Sequence, residues 1–442
     1  MSRSRKRYES TIGKIQLAVN SLYGGIGRAL SHPGYCLLWW SNGTNTTGRW
    51  LFKVSLGWLT WEMTGSPAWL GIVAFADTFP MVFMTIIAGA WADRIGHLRI
   101  MKMSQVLVVA GGIITAILAL LGLLNIYFII ILSVVVGASE AMTIPARMSF
   151  VHHLVPKTDL SAAIALNSAT YNFARFLGPA LFGGLIQFVS IPVIIAISAG
   201  MFSIFYVALF FQQADKRDHT TDGKTKLILE LIEGFRYAYT NSGIFFLLFL
   251  LSVTAILMRP YIDLVPGISD QIFDMGAEGL SILLSATGLG AMVGGIWLAR
   301  RGKTEGLTKV FTWSLLISAL AMLLFVMSDN IWLGSALIAI VGMTIVAGSI
   351  TSQTLIQNTV DPKVRGRVIS ITAVLAWGLP AIGAALMGWI AEFLGLSVTL
   401  AIGAVLTLLL WLWGHKAGNR LKTMLENEDI AKEKKSKTLV EK

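Results

Sequence analysis

Long apolar segments separated by short polar breaks occupy most of the chain. A helix of about 20 apolar residues crosses the ~30 Å hydrocarbon layer of a bilayer, whereas a membrane β-barrel needs alternating segments of ~10 residues, which this sequence lacks. The pattern therefore predicts an all-α polytopic membrane protein with 12 transmembrane helices. They are expected near 35–62, 67–92, 100–122, 125–154, 159–188, 191–213, 243–265, 278–300, 306–327, 330–360, 365–394 and 396–415.

Composition and charge placement agree with this prediction. Charged residues make up 13% of the chain, against roughly a quarter in soluble domains. Of the 35 Lys and Arg residues, 30 lie on one side of the predicted membrane. By the positive-inside rule, this side and both termini are expected in the cytoplasm, within a bacterial inner membrane. The net charge of +11 is thereby explained without a nucleic-acid partner.

Several kinds of chemistry are excluded or left without support. The single cysteine, Cys36, cannot form an intrachain disulfide. His152 and His153 are adjacent but lack a further ligand pattern, so no metal is expected. The glycines of "GLGAMVGG" lie inside an apolar segment and lack the lysine of a nucleotide-binding loop. We therefore expect neither a cofactor nor an enzyme activity.

An internal repeat divides the chain into two halves. "AGAWADRIGHLR" aligns with "GGIWLARRGKTE", and Trp91 and Trp297 stand 206 residues apart in this alignment. The predicted organisation is two pseudo-symmetric bundles of six helices, and in such repeats a substrate site lies near mid-membrane between them. The predicted parts are a basic leader at 1–34, bundles at 35–213 and 243–415, a central loop at 214–242 and a charged tail at 416–442. The leader contains a possible interfacial helix, the loop a short amphipathic helix, and the tail is expected to be partly disordered.

The repeated motif also carries a family resemblance. "GAWADRIGHLR" resembles the loop motif G-x-x-x-D-R-x-G-R-R of the major facilitator superfamily. "IPARMSFVHHLVPKTDLSAAIALNSATYNFARFLGPALFGGLI" (144–186), "EGFRYAY" and "DPKVRGRVIS" are similar to the branch that includes the enterobactin exporter and the transmembrane secretion effectors. The resemblance covers about 34–415 and implies the major facilitator fold and secondary transport.

The resemblance implies a cytoplasmic gating latch that closes against span 11 in the outward-facing state. Its residues are Gly89, Asp93, Arg94, Gly96 and Arg147. Two features depart from the family pattern. His97 and Leu98 stand where basic residues are usual, and the second copy has Ala299 instead of the acid, which puts a second latch in doubt.

A second resemblance concerns span 5. Gly178, Pro179, Gly183 and Gly184 are similar to the antiporter motif G-P-x-x-G-G, with one additional intervening residue. Proline removes a backbone hydrogen bond and glycine permits close packing. The motif predicts either a helix that bends during transport or a fixed kink.

Ionisable residues inside the predicted spans are the main candidates for function, because such residues are costly in a bilayer and face a cavity or a partner. In "LLWWSNGTNTTGRWLFKVSLGWLTW", Asn42, Thr46, Arg49 and Lys53 follow helical spacing and predict a water-lined face. The other candidates for the substrate and ion pathway are Asp77, Glu140, Tyr171, Arg175 and Gln353. Fixed ion pairs are the alternative role, and Arg259 with Asp263, four residues apart, could be a structural pair or an outer gate.

These residues lead to a functional hypothesis. Glu140 is the first candidate for proton coupling and Asp77 the second, because a carboxylate pKa responds to burial and to nearby cations. Drug–proton antiporters usually carry an arginine within the apolar core of span 4, and that core here, "SVVVGAS" (133–139), contains none. The cavity charges lean cationic, which favours an anionic or amphiphilic substrate.

We expect proton-coupled efflux of a small organic molecule, siderophore- or drug-like, by alternating access. The partners would be this substrate, protons and the lipid bilayer, with the monomer as the working unit. The alternatives are a proton-coupled importer and a non-transporting scaffold or sensor on a degenerate transporter fold.

Overall fold

The computed structural model of the protein describes residues 24–84, 91, 95–213, 227–302, 304–361 and 364–426. These ranges contain helices and connecting turns, without a strand. The first half follows a helical turn at 24–30 and contains α1 (Pro33–Thr64), α2 (Pro67–Thr78), α3 (His97–Leu120), α4 (Ile126–Leu154), α5 (Leu160–Leu185) and α6 (Ile191–Ala208). After α7 (Leu227–Thr240), the second half contains α8 (Ser242–Leu257), α9 (Tyr261–Gln271), α10 (Gly276–Arg301), α11 (Leu307–Val326), α12 (Ile331–Thr359), α13 (Arg365–Leu394) and α14 (Leu396–Glu426).

Ten helical segments within the described ranges are long and apolar enough to cross a membrane, with α8 and α9 counted together as one. Two more segments, α1 and α5, are long enough but are not among the ten. Both contain polar and charged residues that lower their hydropathy, notably Arg49 and Lys53 in α1 and Arg175 in α5. With α1 and α5 counted among them, the long segments lie six before α7 and six after it, which is consistent with the predicted repeat.

Polar caps fix several helix ends because the first backbone N–H groups of a helix lack partners within it. Ser66 accepts from the Trp69 N–H at the start of α2 (3.4 Å), and Asn125 accepts from the Phe128 N–H at the start of α4 (3.0 Å). Asn330 accepts from the Trp332 N–H at the start of α12 (2.9 Å). These caps stand in the short polar breaks from which the spans were predicted.

The structure corrects two predicted spans and describes a third only in part. Span 7 was expected as one helix at 243–265, but it is divided into α8 and α9 around Pro260, which lacks an N–H, and ends at Gln271. Span 2 is helical from Pro67 to Met84 with a turn at Phe79 just before Pro80, and most of its remaining residues lie outside the described ranges. The last helix continues to Glu426, eleven residues beyond the predicted end at 415. Glu426 accepts from the backbone N–H groups of Gly306 and Thr308, which ties this extension to the start of α11.

Some predicted features fall outside the described ranges. The basic leader and its possible interfacial helix are described only from residue 24 onward, and the central loop only from 227. The amphipathic helix predicted there is confirmed as α7. Tail residues from 427 onward also lie outside the described part of the chain.

The two halves contact each other mainly through two pairs of helices, α2 with α13 and α5 with α10, and α9 of the second half also contacts α1 and α2. We call the end where α1 begins the basic end and the end where α1 finishes the opposite end. Gly71 of α2 approaches the Ala384 carbonyl so closely that a Cβ would overlap it, and Gly183 of α5 approaches Ser281 in the same way. Close approach of glycine to a neighbouring helix is a typical way to pack helices in a membrane.

The hydrophobic cores of the described residues differ between the two ends. One core joins both halves near the opposite end and includes Leu51, Trp61 and Phe182 with Tyr261 and Leu280. At the basic end each half has its own core. One contains residues of the first half between Ala29 and Leu209, and the other contains residues of the second half between Ala238 and Leu425. The bundle is thus joined at the opposite end and divided at the basic end.

Candidate substrate and ion pathway

A cavity lies between the halves where the shared core ends. It encloses about 580 Å³ of empty space, including its open side. Its polar lining consists of Arg49, Lys53, Asp77, Ser133 and Asp263, and its apolar wall includes Trp50, Leu70, Val73, Ile262 and Leu284. The walls come from α1, α2, α4, α9 and α10, so both halves of the repeat contribute to it.

Two ion pairs lie in the wall of this cavity. The Arg49 guanidinium of α1 donates to Asp77 Oδ1 of α2, and Lys53 Nζ lies 2.9 Å from Asp263 Oδ1 of α9. All four side chains are at most 30% exposed. The first pair lies within one half, while the second links the two halves. The expected pairing of Arg259 with Asp263 is therefore wrong, because Pro260 interrupts the helix on which their four-residue spacing depended.

Five described polar contacts join the halves, and all of them lie between mid-membrane and the opposite end. Besides Lys53 with Asp263, Trp61 Nε1 donates to Asp270 Oδ2 at 2.9 Å. The remaining three are Ser66 Oγ to Glu392 Oε2 (2.6 Å), Ala68 N to Glu392 Oε2 (3.2 Å) and Gln187 Nε2 to Glu278 Oε1 (3.3 Å). Together with the shared core, they hold this end of the molecule closed.

Glu392 of the second half binds the first turn of α2 in the first half. This carboxylate, in the last turn of α13, binds the N-terminus of α2 through the Ser66 hydroxyl and the Ala68 N–H. A carboxylate is favourable there because helix N-termini carry partial positive charge and unpaired N–H groups. The sequence analysis did not select Glu392. Its only signal is an acid at the end of an apolar span, which many surface residues share.

Glu140 and Arg147 lie on α4, toward the basic end from the cavity. Glu140 Oε2 is buried and has no hydrogen-bond partner within the described ranges. The carboxylate lies near Arg49 and Arg147 but forms an ion pair with neither in the described structure. Arg147 donates instead to Asn42 Oδ1 of α1.

The described residues include only part of the expected cytoplasmic gating latch. Gly89, Asp93 and Arg94 lie outside the described residues. Gly96 directly precedes α3 with φ of 96°, a conformation that favours glycine.

Much of the polar run in α1 serves helix packing. Asn42 and Thr46 are buried, at 5% and 9% exposure, rather than turned to water as expected. Thr46 Oγ1 bonds the Asn42 carbonyl of its own helix, and Asn45 accepts from Gln105 Nε2 of α3 at 2.8 Å. The sequence analysis missed Gln105, although a glutamine within an otherwise apolar span is itself a signal. Only Arg49 and Lys53 of the four candidates line the cavity.

Arg175 and Arg259 lie on opposite halves and differ from the paired cations. The Arg175 guanidinium stands over the Trp50 ring, 5.7 Å from its centroid. Arg259, in the break between α8 and α9, donates through Nη1 to the Ala376 carbonyl at 2.7 Å. Neither guanidinium has a carboxylate oxygen within the 4.0 Å ion-pair distance among the described residues.

Tyr171, Gln353 and the residues of the span 5 motif lie in three different environments. Tyr171 is 40% exposed, and its ring meets Trp50 edge-on with centroids 6.2 Å apart. Gln353 of α12 is exposed. In the span 5 motif, α5 runs through Pro179 without a break, Gly178 packs against Trp50, and a Cβ on Gly184 would meet nothing within 4 Å.

The comparisons with known proteins agree with this architecture. The family model of transmembrane secretion effectors matches residues 28–442. The chain is 24% identical to a staphyloferrin A transporter of Staphylococcus aureus, over 86% of this chain and 96% of the relative. It is also 24% identical to a multidrug efflux pump of Mycolicibacterium fortuitum, over 80% of this chain and 88% of the relative.

The fold is likewise shared with a solved nucleoside transporter at a TM-score of 0.67 and 12% identity, covering 87% of this chain and 99% of that one. Two six-helix halves around a charged central cavity, together with a family match over nearly the whole length, identify the chain. It belongs to the transmembrane secretion effector family of major facilitator transporters.

Proposed function

We propose that this protein exports a small organic molecule from the bacterial cytoplasm in exchange for protons, by alternating access. The observation that carries the proposal is the contrast between the two ends of the bundle. One core and five polar contacts join the halves at the opposite end, whereas each half has its own core at the basic end. A transporter that alternates must break the first set of contacts and form another at the basic end.

The orientation of the molecule follows from its charges. With the basic end in the cytoplasm, as the positive-inside rule requires, both termini are cytoplasmic and the described state is shut toward the outside. One chain supplies both halves of the cavity, so the monomer is the working unit. The efflux activity in the name of one relative supports export rather than import.

Glu140 is the proposed proton carrier. A coupling carboxylate must exchange between a charged state near a cation and a neutral state, and Glu140 lies beside two arginines without being bound to either. Its buried oxygen lacks a hydrogen-bond partner in the described structure. Asp77 is the second candidate, since its protonation would release Arg49, which it holds in this state.

The test uses the full chain in liposomes that contain a pH-sensitive dye, with an imposed proton gradient. Pools of anionic, neutral and cationic organic compounds are added in turn. We expect one pool to drive proton flux, and the sign of the flux relative to compound movement separates export from import. Absence of flux with every pool, in protein shown to be folded, would contradict proton-coupled transport and favour a non-transporting role.

A further inference from the structure

The helix between the two halves, α7, has two exposed flanks of different chemistry. Phe235 and Tyr239 are 61% and 70% exposed, and their spacing of four residues places them on one flank of the helix. Arg236 and Thr240 form a second exposed flank beside the first. An aromatic flank next to a polar one is typical of a helix that lies in the boundary between lipid and water.

The aromatic flank continues onto the membrane-crossing helices. The Tyr239 ring meets the Phe245 ring of α8 edge-on, with centroids 5.6 Å apart. Phe245 stacks on Phe249 at 6.2 Å, and Phe249 meets Trp413 of α14 edge-on at 5.5 Å. All four side chains of this aromatic row (Tyr239, Phe245, Phe249 and Trp413) are exposed. The last three belong to segments that are long and apolar enough to cross a membrane.

The aromatic row lies on the outside of the bundle. The helices with which α14 makes its main contacts, namely α8, α9, α11, α12 and α13, all belong to the second half. Its exposed apolar side chains, including Leu409 and Trp413, therefore face away from the cavity between the halves. In a membrane this outer surface is covered by lipid, so the aromatic row is continuous with a lipid-facing surface.

The connection to α8 keeps α7 at the membrane boundary. Only Asn241 separates the end of α7 from the start of α8. Asn241 has an extended backbone, and its side chain accepts from the Ile244 N–H at 3.1 Å, which caps α8. Because α8 begins the seventh crossing segment, a helix that ends one residue before it cannot lie far from the membrane surface.

The remaining side of α7 packs against the start of α13. A Cβ on Gly234 would lie 2.9 Å from the Arg367 Cβ, so the two helices are in close contact there. Ala238 is buried in the core of the second half at the basic end. The Tyr237 hydroxyl accepts from the Asp361 N–H in the connection between α12 and α13, at 3.3 Å. One helix thus contacts the start of α13 and exposes aromatic side chains on another flank.

We propose that α7 is an interfacial helix whose Phe235 and Tyr239 flank binds the bilayer at the boundary of headgroups and acyl chains, and that it thereby holds the start of α13 at the membrane surface. Aromatic side chains are favoured at this boundary because their rings can contact both lipid and water. α13 is span 11, the helix against which the latch is expected to close. The proposal does not depend on transport.

The experiment locates α7 with nitroxide spin labels on the full chain, in vesicles of phosphatidylethanolamine and phosphatidylglycerol. Single cysteines are introduced in a Cys36→Ser background. Phe235→Cys and Tyr239→Cys report on the aromatic flank, and Arg236→Cys and Thr240→Cys report on the polar flank. Collisions with oxygen, which concentrates in lipid, are compared with collisions with a water-soluble nickel chelate. Circular dichroism and size-exclusion chromatography identify any variant that fails to fold.

Two exposed positions supply the reference values. Val405→Cys on α14 is the lipid reference, and Asp329→Cys between α11 and α12 is the water reference. We expect labels on the aromatic flank to collide mainly with oxygen, as at Val405, and labels on the polar flank to collide mainly with nickel, as at Asp329. Aromatic-flank labels that collide mainly with nickel would face water, and the proposal would be wrong. Labels reached by neither reagent would be covered by a second copy of the chain, which also overturns lipid binding.

A second label tests whether α7 holds α13. It is placed at Ser370, which is exposed near the start of α13. Tyr239→Glu adds a charge to the aromatic flank, and the matched control Thr240→Glu adds the same charge to the polar flank. We expect greater motion of the label in Tyr239→Glu and wild-type motion in Thr240→Glu. Unchanged motion in folded Tyr239→Glu, or equal motion in both variants, would show that lipid contact through α7 does not hold α13.

Discussion

Lys53 of α1 and Asp263 of α9 form an ion pair between the two halves, with Nζ and Oδ1 2.9 Å apart. In sequence they are 210 residues apart, and each lies on a different six-helix bundle. In the proposed alternating-access cycle these surfaces separate when the molecule opens outward, so the pair would favour the state that is closed at the opposite end. It acts there together with the four other polar contacts and the shared core.

Reversing one charge of this pair should open the opposite end. Lys53→Asp places two carboxylates against each other, and like charges at this distance repel. The measurement is the distance between spin labels at Glu62 and Asp329, both exposed near the opposite end, in a Cys36→Ser background. We expect a longer distance in Lys53→Asp, and a return to the wild-type distance in the double variant Lys53→Asp with Asp263→Lys. A double variant that stays open would show that the pair does not hold the halves.

Glu140→Gln should uncouple transport from the proton gradient. The amide is nearly the same size as the carboxyl group but cannot exchange a proton, so gradient-driven transport should fall to the level seen without a gradient. Exchange of labelled for unlabelled substrate, which needs no net proton movement, should remain. Asp329→Asn removes an exposed acid and serves as the control. Undiminished gradient-driven transport in Glu140→Gln would eliminate Glu140 as the proton carrier.

Gly71→Ala should disturb the contact between α2 and α13. The added Cβ would overlap the Ala384 carbonyl oxygen, and overpacking of this kind typically costs about 1–3 kcal/mol. Thermal unfolding in detergent should therefore occur at a lower temperature. Gly295→Ala is the matched control, because a Cβ there meets nothing within 4 Å and alanine is favoured over glycine in helices. Equal effects of both changes would mean that helix contact at Gly71 is unimportant.

Asp159 anchors the segment before α1 and gives that segment a pH dependence. The hydrogen bond with His32 (3.2 Å) and that from Arg28 Nε (3.0 Å) hold the pKa of the Asp159 carboxyl below its ordinary value. A lowered carboxyl pKa stabilises the attached state above the ordinary value of about 3.9, and this stabilisation is lost as the pH falls through the lowered pKa.

A spin label at the exposed position Ile26 can report on this anchor. We expect restricted label motion from pH 7 down to about 4 and greater motion only as the pH falls below the ordinary carboxyl pKa. Asp159→Asn should show the mobile spectrum already at pH 7, whereas Asp329→Asn should behave as wild type. A label that remains restricted at pH 7 in Asp159→Asn would exclude the anchoring role.

Apolar patterning was sufficient to predict the helices. It placed span 4 at 125–154 and span 11 at 365–394, against observed helices at Ile126–Leu154 and Arg365–Leu394. This succeeds because the bilayer imposes both a length and a hydropathy on each crossing segment. The main deviations are the break at Pro260, which interrupts backbone hydrogen bonding where hydropathy does not change, and the extension of the last helix to Glu426, whose final residues are charged and therefore not detected by hydropathy.

Pairing between distant residues could not be predicted in this way. The spacing of Arg259 and Asp263 suggests a pair on one continuous helix, but the break at Pro260 separates them and Asp263 meets Lys53 instead. Likewise, Asn42 was expected to face water, but in the folded chain it accepts from Arg147. A sequence pattern defines which residues share a helix face, and the partner of that face is decided only by how the helices pack together in the folded chain.

The polarity of α1 has a consequence for how the chain is made. With Arg49 and Lys53 in its inner part, α1 is the least suited of the early helices to enter lipid alone, because a central Arg or Lys costs about 2.5–3.5 kcal/mol during insertion. Its main packing partners, α5 and α6, are synthesised more than 90 residues later. Asp77, however, follows Arg49 by only 28 residues. The ribosome thus synthesises Asp77, the counter-ion of Arg49, before it synthesises α5 and α6, against which α1 packs. We infer that the hairpin of α1 and α2 is the first unit of this protein that can insert stably into the membrane.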